Sequence, residues 1–254
     1  EKLGLQVDWI SGNWREGVNP EKVEELLNAD REKQIRAVCV VHNETATGVT
    51  SDISSIRKAV DRTDHPALFM VDTISSLASM DYRHDEWKVD VTVAGSQKGL
   101  MLPPGLSFNA VSDKALEASE KAQLPRAYWN WQEMLNANEQ SVFPYTPATN
   151  LLYGLKEALI LLKEEGLDQV FARHRQLAEA TRKAVQGWNL EMNALHSHEF
   201  SDSLTAVRMP EGHDADQFRK VVLENFNVSL GNGLGKIQGK VFRIGHLGDF
   251  NAPM

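Results

Sequence analysis

The ten residues RAVCVVHNET, at positions 36–45, carry the clearest signature of a buried strand in this sequence. Their first six positions form a short run rich in valine, with the length and β-branched content typical of a strand covered on both faces. The run ends at the polar group that begins with His42. Two later runs, at residues 67–71 and 89–94, have the same character, so we predict three strands of one sheet.

Helical patterns separate these runs. Asn19 and Pro20 are typical of the start of a helix, and Ser51-Asp52 predicts the start of a second one. The residues predicted to face inward are Val23, Leu26 and Leu27 in the first helix and Ile53, Ile56 and Val60 in the second. Strands that alternate with helices indicate a mostly parallel sheet flanked by helices, which is the α/β class.

The second half of the chain has a different pattern. Two long helices are predicted, ended by Gly166 and Gly187, followed by a strand at residues 204–207, a helix at 214–224 and a strand at 241–244. The residues predicted to face inward are Leu151, Leu152, Leu155, Ala158, Leu159 and Leu162, then Val170, Phe171, His174, Leu177, Thr181 and Val185, and finally Phe218, Val221 and Val222.

This change of pattern predicts two domains. We expect a large domain over residues 1–165 and a smaller α+β domain over residues 166–254. The chain begins with Glu1 rather than methionine, and its first residues are typical of the middle of a helix. We therefore expect a piece of a longer protein, without the beginning of the large domain and the end of the small one.

Composition narrows the classes of function. The 254 residues include 42% hydrophobic residues, enough for a sizeable core, and carry a formal net charge of −8. This acidic balance argues against nucleic acid or an anionic membrane as the main partner, and the longest apolar runs are too short to cross a bilayer. The single cysteine, Cys39, excludes an intrachain disulfide and indicates a reducing compartment such as the cytoplasm. Because Cys39 lies inside an apolar strand, we expect its thiol to be buried.

Polar residues follow all three predicted strands. His42 and Thr45 follow the first strand, Asp72 the second, and Ser96 to Lys98 the third. Because parallel strands end at the same edge of a sheet, we expect these side chains to meet there. A lysine and a carboxylate at such an edge could serve as the covalent nucleophile and the charge partner of a cofactor. Local spacing alone favours a solvated lysine and a helix-capping aspartate.

Four motifs stand in order along the chain: HNETATGV at 42–49, VDTISSL at 71–77, GSQK at 95–98 and GKVFRIGHLG at 239–248. Together they resemble the class V aminotransferases, a branch of the fold-type I enzymes that depend on pyridoxal 5'-phosphate. The resemblance extends over nearly the whole chain and is strongest to the serine–glyoxylate and alanine–glyoxylate transaminases of this family. It implies the fold-type I architecture and transfer of an amino group from serine (or alanine) to glyoxylate, giving hydroxypyruvate (or pyruvate) and glycine.

The resemblance also implies roles for five residues around the cofactor. Lys98 matches the lysine that binds pyridoxal phosphate covalently and later moves a proton between substrate and cofactor. Asp72 matches the aspartate that pairs with the ring nitrogen, and Ile74 matches a branched residue against one face of the ring. Thr45 matches a hydroxyl near the 3-oxygen of the ring, and Gln97 matches a glutamine of the phosphate pocket.

Two further matches concern the partner subunit and the substrate. Thr146 matches a threonine that reaches the phosphate of the neighbouring subunit, which implies a homodimer with shared active sites. Arg243 matches the arginine that binds the α-carboxylate of the substrate, a task suited to its flat, two-pronged donor geometry. Phe143 stands where some relatives have an aromatic hydroxyl. The ring-stacking aromatic residue and the phosphate-binding loop of the family are expected upstream of Glu1.

Several alternatives remain open at this point. An alanine-specific transaminase, an amino-acid lyase and a non-catalytic protein of the same fold are each compatible with these motifs. His196-Ser197-His198 resembles a metal-binding pair, but its polar loop is typical of solvated histidines, so we expect no metal. Trp129 and Trp131 are expected at a subunit interface. Plant members of the family carry a C-terminal peroxisomal signal, which makes the peroxisome the alternative compartment.

Overall fold

The computed structural model describes residues 2–250, which form ten β-strands and seven α-helices. The strands are β1 (Ala37–Val41), β2 (Asn43–Glu44), β3 (Val49–Thr50), β4 (Leu68–Asp72), β5 (Val91–Gly95), β6 (Ser107–Val111), β7 (Glu191–Met192), β8 (Leu204–Arg208), β9 (Gly231–Asn232) and β10 (Val241–Gly245). The helices are α1 (Pro20–Ala29), α2 (Ile53–Arg62), α3 (Asp113–Glu120), α4 (Trp131–Glu139), α5 (Thr149–Glu165), α6 (Leu167–Gly187) and α7 (Ala215–Phe226). None of the helices in this part of the chain is both long enough and apolar enough to cross a membrane.

The first sheet contains four strands in the order β1-β4-β5-β6. The first three are parallel, with Val41 opposite Asp72 and Asp72 opposite Val93, so their carboxyl ends lie along one edge of the sheet. This confirms the α/β class and the mostly parallel sheet. Strand β6 runs antiparallel to β5 and was not predicted, because its residues are exposed or half-buried and form no apolar run.

Helices α1 and α2 pack against one face of this sheet. The side chain of Asn19 accepts hydrogen bonds from the backbone N–H groups of Glu21 and Lys22, which starts α1. The carboxylate of Asp52 accepts one from the N–H of Ser55 and starts α2. Their inward faces and the strands share a core that includes Val23, Leu27, Val40, Ile53, Ile56, Val60, Phe69 and Val71. The predicted faces of both helices are thus confirmed at their centres.

The second sheet contains four antiparallel strands in the order β7-β8-β10-β9. Helices α6 and α7 pack on it around a core of Val185, Val207, Ala215 and Phe242. Helix α5 packs instead on the loop after β5, through Ala158, Leu162, Leu100 and Leu102. All four strands lie beyond Gly166, where α5 ends. The domain boundary at residues 165/166 stays a prediction.

Some residues predicted to face inward are exposed. Leu26 of α1, Leu159 of α5 and Val221 of α7 are 40%, 49% and 52% exposed. Each of them lies beside the buried part of its helix; Leu159, for example, neighbours the buried Ala158. The 3.6-residue period locates the centre of an apolar face but not its width, so residues at the margin are easily misassigned.

Two further expectations are wrong. The thiol of Cys39 is exposed: Val38 and Val40 pack towards α1 and α2, and alternation along β1 turns Cys39 to the opposite side of the sheet. The helix expected at the start of the chain is also not formed, because residues 2–4 are a turn and bend and residues 5–13 have no regular structure.

Candidate active site

The carboxyl ends of β1, β4 and β5 bring polar residues to one edge of the first sheet, here called the sheet edge. Asp72 is the last residue of β4, and Lys98 follows the end of β5 by three positions. The N–H of His42 donates to the carbonyl of Asp72 at 2.9 Å, and the N–H of Thr73 donates to the carbonyl of Val93 at 2.8 Å. These bonds tie the three strand ends together.

Asp72 is half-buried at this edge. Its Oδ1 accepts a hydrogen bond of 2.8 Å from the N–H of Ile74, so the carboxylate partly caps the turn that follows β4. Its Oδ2 has no hydrogen-bond partner within residues 2–250. The second oxygen is therefore available to a ligand, and Ile74 is half-buried beside it in the chain.

Lys98 lies on a turn that the backbone holds in place. The N–H of Met101 donates to the carbonyl of Lys98 at 2.8 Å. The buried hydroxyl of Ser96 donates to the carbonyl of Pro103 at 2.8 Å and accepts from the N–H of Leu106 at 3.2 Å. In the described part of the chain, the lysines that form ion pairs are Lys114 and Lys220. The half-buried amine of Lys98 is thus unpaired there.

Gly99 allows this turn to approach the segment that follows Asp72. A Cβ built on Gly99 would lie 2.2 Å from the carbonyl oxygen of Leu77 and 2.5 Å from Oγ of Ser79. Such distances exclude any side chain without movement of the backbone. The role of Gly99 was not predicted from the sequence, although a glycine directly after the lysine was a visible signal.

Arg243 reaches the sheet edge from the second sheet. Its Nη1 donates to the carbonyl of Thr45 at 2.9 Å, and its Nε donates to the carbonyl of Asn232 at 2.7 Å. Burial and the nearby charge of Arg219 lower the pKa of Arg243, but a guanidinium this basic stays charged at neutral pH. Nη2 donates to no residue within the described range, so one side of the guanidinium is available to an anion.

His42 lies buried behind the edge. Its Nδ1 is 2.9 Å from Oγ of Ser76, and its ring centroid lies 5.4 Å from that of Tyr82 and 6.3 Å from that of Trp87. Burial lowers the pKa of His42 to about 4, so the imidazole is neutral at neutral pH. These contacts favour a structural role for His42.

A reciprocal pair of hydrogen bonds also joins the strand ends. Nδ2 of Asn43 donates to Oγ of Ser75 at 2.9 Å, and that hydroxyl donates to the carbonyl of Asn43 at 2.8 Å. Both side chains are buried. Sequence reasoning missed this pair; the run of hydroxyl residues after Asp72 was its only visible signal.

Two further predicted site residues, Gln97 and Thr146, have exposed side chains. Gln97 is exposed, and its Oε1 would lie 2.8 Å from a Cβ on Gly95, so its side chain folds back over β5. Thr146 is exposed and belongs to an open groove lined by residues 142–147. The structure therefore places Asp72 and Lys98 at or after the ends of neighbouring strands and joins Arg243 to the carbonyl of Thr45, whereas Thr146 lines the groove of residues 142–147. A role of Thr146 in a neighbouring subunit stays a prediction.

The loop with His196 and His198 has ordinary polar contacts. Nε2 of His196 lies 2.9 Å from Oε1 of Glu16, and the two histidine rings stack with centroids 5.5 Å apart. Across residues 2–250, no three or more His, Cys, Asp or Glu side chains are grouped as metal ligands would be.

Three comparisons relate the chain to known proteins. It is 51% identical over 256 residues to serine–glyoxylate aminotransferase of Methylorubrum extorquens, which covers 99% of this chain and 64% of the relative. It is 46% identical over 254 residues to L-aspartate–glyoxylate aminotransferase of Paracoccus denitrificans, covering 100% of this chain and 64% of that one. Among solved structures, pyridoxamine–pyruvate aminotransferase from Mesorhizobium loti matches with a TM-score of 0.88 and 33% identity, over 94% of this chain and 61% of the other.

The chain thus spans about 64% of the length of the curated relatives it matches. The structural match to the solved aminotransferase covers 94% of the chain. The shared fold therefore does not depend on any single motif. The family model described as "Aminotransferase class-V" matches residues 1–242. The chain therefore belongs to the class V aminotransferase family.

Proposed function

We propose that the full-length protein transfers an amino group from serine to glyoxylate, with pyridoxal phosphate as cofactor, and forms hydroxypyruvate and glycine. The observation that carries this proposal is that Asp72 and Lys98 lie at or after the ends of neighbouring parallel strands, while Arg243 bonds to the carbonyl of Thr45 after the third strand of the same edge. Among residues 2–250, Oδ2 of Asp72, the amine of Lys98 and Nη2 of Arg243 form no hydrogen bond or ion pair. The relative that is 51% identical, a serine–glyoxylate aminotransferase, supports the choice of substrates.

These residues fit pyridoxal phosphate by their chemistry. The cofactor requires an amine that can bond to its aldehyde and an anion that keeps its ring nitrogen protonated. We assign the first task to Lys98 and the second to Oδ2 of Asp72, because the described chain gives neither atom another partner. When bound, the cofactor supplies an electron sink that makes the α-proton of an amino acid acidic.

Lys98 has a second task as the proton carrier. With pyridoxal phosphate bound, Nζ of Lys98 would be the group that takes up and moves the proton of the substrate α-carbon. The hydroxyl bonds of Ser96 and the backbone bond from Met101 hold the turn, so only the side chain has to move. Such support is what a positioned acid–base group requires.

Three other residues complete the proposed cofactor pocket. From the resemblance to the class V aminotransferases we assign the hydroxyl of Thr45 to the 3-oxygen of the ring and Ile74 to one ring face. Both residues are half-buried. Gln97 is assigned to the phosphate pocket. Its side chain lies over Gly95 in this structure, so it has to turn outward to reach a phosphate.

Arg243 is assigned to the carboxylate of the substrate. Of its five N–H groups, one on Nε and one on Nη1 are used by the carbonyls of Asn232 and Thr45. The remaining N–H groups on Nη1 and Nη2 point away from these bonds and can bind a carboxylate through two parallel hydrogen bonds. Both serine and glyoxylate carry the carboxylate that this arrangement recognises.

We also propose a homodimer in which Thr146 reaches the phosphate of the other subunit. The groove of Thr146 lies in an exposed apolar surface, and contiguous surfaces of this kind mark interaction sites. This surface consists of Tyr128, Trp129, Val142, Phe143 and Tyr145. The side chain of Trp129 is the most exposed of these at 84%, which supports its proposed place at a subunit interface. Analytical ultracentrifugation of the full-length protein tests the dimer, and a monomer at micromolar concentration would contradict it.

Aspartate is the second candidate for the amino donor. The relative from Paracoccus denitrificans that is 46% identical is an L-aspartate–glyoxylate aminotransferase, so similarity alone does not separate the two donors. Initial rates of glycine formation with serine, alanine and aspartate, each with glyoxylate, rank them. A higher kcat/KM for aspartate or alanine than for serine would replace serine in the proposal.

The experiment that tests the proposal compares Lys98→Ala with Lys121→Ala in the full-length protein. Lys121 is an exposed residue at the end of α3 and serves as the control. We expect Lys98→Ala to lose the visible absorption of the covalently bound cofactor and to reduce transamination by at least about a thousandfold, whereas Lys121→Ala keeps both. Transamination of serine with glyoxylate at the wild-type rate by Lys98→Ala would refute the assignment.

For the compartment we propose the cytoplasm, with the peroxisome as the alternative for a plant-type form. The single cysteine supports a reducing compartment. Fractionation of cells that express the tagged full-length protein distinguishes the two, and recovery with secreted material would contradict both.

A further inference from the structure

Arg243 lies flat across a glycine of the neighbouring strand. In the pairing of β9 with β10, Gly231 is directly opposite Arg243. Directly opposite residues on antiparallel strands project to the same face of a sheet, with Cβ atoms about 4.5–5.5 Å apart. Any side chain at position 231 would therefore stand beside the side chain of Arg243.

The arginine occupies the space that the glycine leaves open. A Cβ built on Gly231 would lie 3.2 Å from Cβ of Arg243, 3.3 Å from its Nε and 3.5 Å from its Cζ, and these are the three nearest atoms. The first two distances are shorter than ordinary van der Waals contact, so the arginine would have to shift by a few tenths of an ångström. A larger side chain than alanine would displace it further.

This space matters because backbone carbonyls set the direction of the guanidinium. Nε donates to the carbonyl of Asn232 at 2.7 Å, and Nη1 donates to the carbonyl of Thr45 at 2.9 Å. Asn232 follows Gly231 directly on β9, so the strand that would clash also holds Nε. A side chain at position 231 would push the guanidinium away from both carbonyls and turn Nη2 away from its present direction.

The backbone itself does not require glycine at this position. Gly231 is not among the glycines in the left-handed region of φ, so alanine can adopt its conformation. Gly233 differs, because a Cβ there would lie 2.3 Å from the carbonyl oxygen of Ile237. A side chain at position 233 would collide with the backbone, whereas a side chain at position 231 would collide with the side chain of Arg243.

We propose that Gly231 is a positioning residue for substrate binding. Its lack of a side chain lets Arg243 lie across β9 and present Nη2 to the substrate carboxylate. This inference rests on the proposed function, in which Arg243 binds that carboxylate. Because the amino acid and the keto acid share the carboxylate, both are affected by a side chain at position 231. A side chain at position 231 would not affect the proposed cofactor contacts of Lys98 and Asp72.

The test uses the full-length protein with pyridoxal phosphate bound and compares Gly231→Ala and Gly231→Val with Gly245→Ala. Gly245 is the matched control: it lies on β10, its φ is also outside the left-handed region, and a Cβ there meets no atom within 4 Å. The probe is 3-hydroxypropanoate, which is serine without its amino group and cannot react with the cofactor. Calorimetry gives its dissociation constant, and cofactor absorption and melting temperature are recorded for each variant.

We expect Gly231→Ala to weaken binding of the probe about tenfold, the change typical of losing one charge-assisted hydrogen bond, and Gly231→Val to weaken it further. The KM values for serine and glyoxylate should rise more than kcat falls. Cofactor absorption and melting temperature should match the wild type, and Gly245→Ala should bind the probe normally. Binding of 2-aminoethanol, which is serine without its carboxylate, should be the same in all variants.

Unchanged probe affinity in both Gly231 variants, or an equal loss in Gly245→Ala, would overturn the inference. A parallel loss of cofactor absorption or melting temperature in Gly231→Ala would also overturn it, because it would indicate a purely structural role. Arg243→Ala separates this result from failure of the proposed function. If Arg243→Ala binds the probe as tightly as the wild type, Arg243 is not the carboxylate ligand. If Arg243→Ala binds the probe weakly but both Gly231 variants bind it normally, the role of Gly231 is refuted and that of Arg243 stands.

Discussion

Gly99 follows Lys98 directly, and its α-carbon lies against the backbone of residues 77–79. In Gly99→Ala, the added methyl group would come 2.2 Å from the carbonyl oxygen of Leu77, so the lysine turn has to move away from the segment after Asp72. We expect the free energy of unfolding to decrease by about 2–3 kcal/mol, within the range typical of overpacking. Cofactor content per mole of protein should fall severalfold. Urea unfolding and visible absorption measure the two effects.

Gly187→Ala is the control for this prediction. Gly187 ends α6, and a Cβ there meets no atom within 4 Å, so the variant should bind cofactor and unfold like the wild type. If Gly99→Ala binds as much cofactor as Gly187→Ala, the close approach at Gly99 is not what positions Lys98.

Residues that follow strands were the most predictable part of the site. Asp72 directly follows one apolar run, and Lys98 follows the end of β5 by three positions. Because parallel strands end together, the sequence pattern alone predicts that both residues lie at one edge. The contact between Thr45 and Arg243 could not be predicted from the sequence pattern, because it joins residues 198 positions apart through a backbone carbonyl. The need for glycine at positions 99 and 231 is likewise set by distant atoms that no local pattern reveals.

The β2–β3 hairpin links the two sheets. Its turn presents the carbonyl of Thr45 to Arg243, and the carbonyl of Thr47 accepts a hydrogen bond of 3.0 Å from Nδ2 of Asn193, next to β7. The same Nδ2 donates to the carbonyl of Trp14 at 3.0 Å, and the side chain of Asn193 is fully buried. One amide group therefore holds the hairpin and the first segment of the chain against the second sheet.

We expect Asn193→Ala to destabilise this junction. The buried carbonyl of Thr47 and the half-buried carbonyl of Trp14 would lose their donor, at a cost of about 2–4 kcal/mol in the free energy of unfolding. The hairpin would also hold Arg243 less firmly, so the KM for serine should rise. Urea unfolding and steady-state kinetics of the full-length protein measure both effects. Asn28→Ala, at an exposed position of α1, is the control, and equal stability of the two variants would contradict the role of Asn193.

Strands were predictable where they coincide with a continuous apolar run, and were not predictable where they form only by pairing with another segment. Strands β1, β4 and β5 lie within two residues of their predicted positions, because each is an apolar run. Strands β2, β3 and β7 are only two residues long and exist through pairing with other segments, so the sequence pattern does not indicate them. Cys39 was misjudged for a related reason: the strand is covered on only one of its two faces within the described residues.

The molecule as a whole combines two sheets of different construction. Alternation of strands and helices predicted the parallel sheet, because each crossover must be long enough to return to the same edge. The antiparallel order β7-β8-β10-β9 was not predictable, since β9 joins the sheet after α7 through only two paired residues. Both parts of the molecule bury histidine side chains: His42 lies behind the first sheet and His246 follows β10 of the second.

Three buried histidines make the folded protein sensitive to acid. Burial lowers the pKa of His42 and of His246 to about 4, and also lowers the pKa of His174. In the neutral form, His246 bonds through Nε2 to the hydroxyl of Thr205 at 3.0 Å and through Nδ1 to the carbonyl of Asp202 at 3.1 Å. A second proton on the ring would leave Thr205 facing a donor and place a charge beside Arg182.

The sign of the effect follows from these pKa values. Unfolded histidines titrate near pH 6.5, so between pH 6.5 and about 4 the unfolded chain binds protons that the folded chain does not, and stability falls as the pH falls. His42 and His246 should each contribute a loss of about 3 kcal/mol across this range. Carboxylates with a lowered pKa, such as Glu165 beside Arg173, add their own loss only nearer pH 4.

Because those carboxylates titrate as well, the informative measurement is the difference between variants. His246→Gln keeps a polar side chain that does not titrate, so its urea midpoint should be lower than that of the wild type at pH 7.5 but decline less steeply between pH 6.5 and 4.5. His213→Gln, at an exposed position, should reproduce the wild-type slope. If His246→Gln loses stability with pH as steeply as the wild type, protonation of His246 does not contribute to the loss of stability in acid.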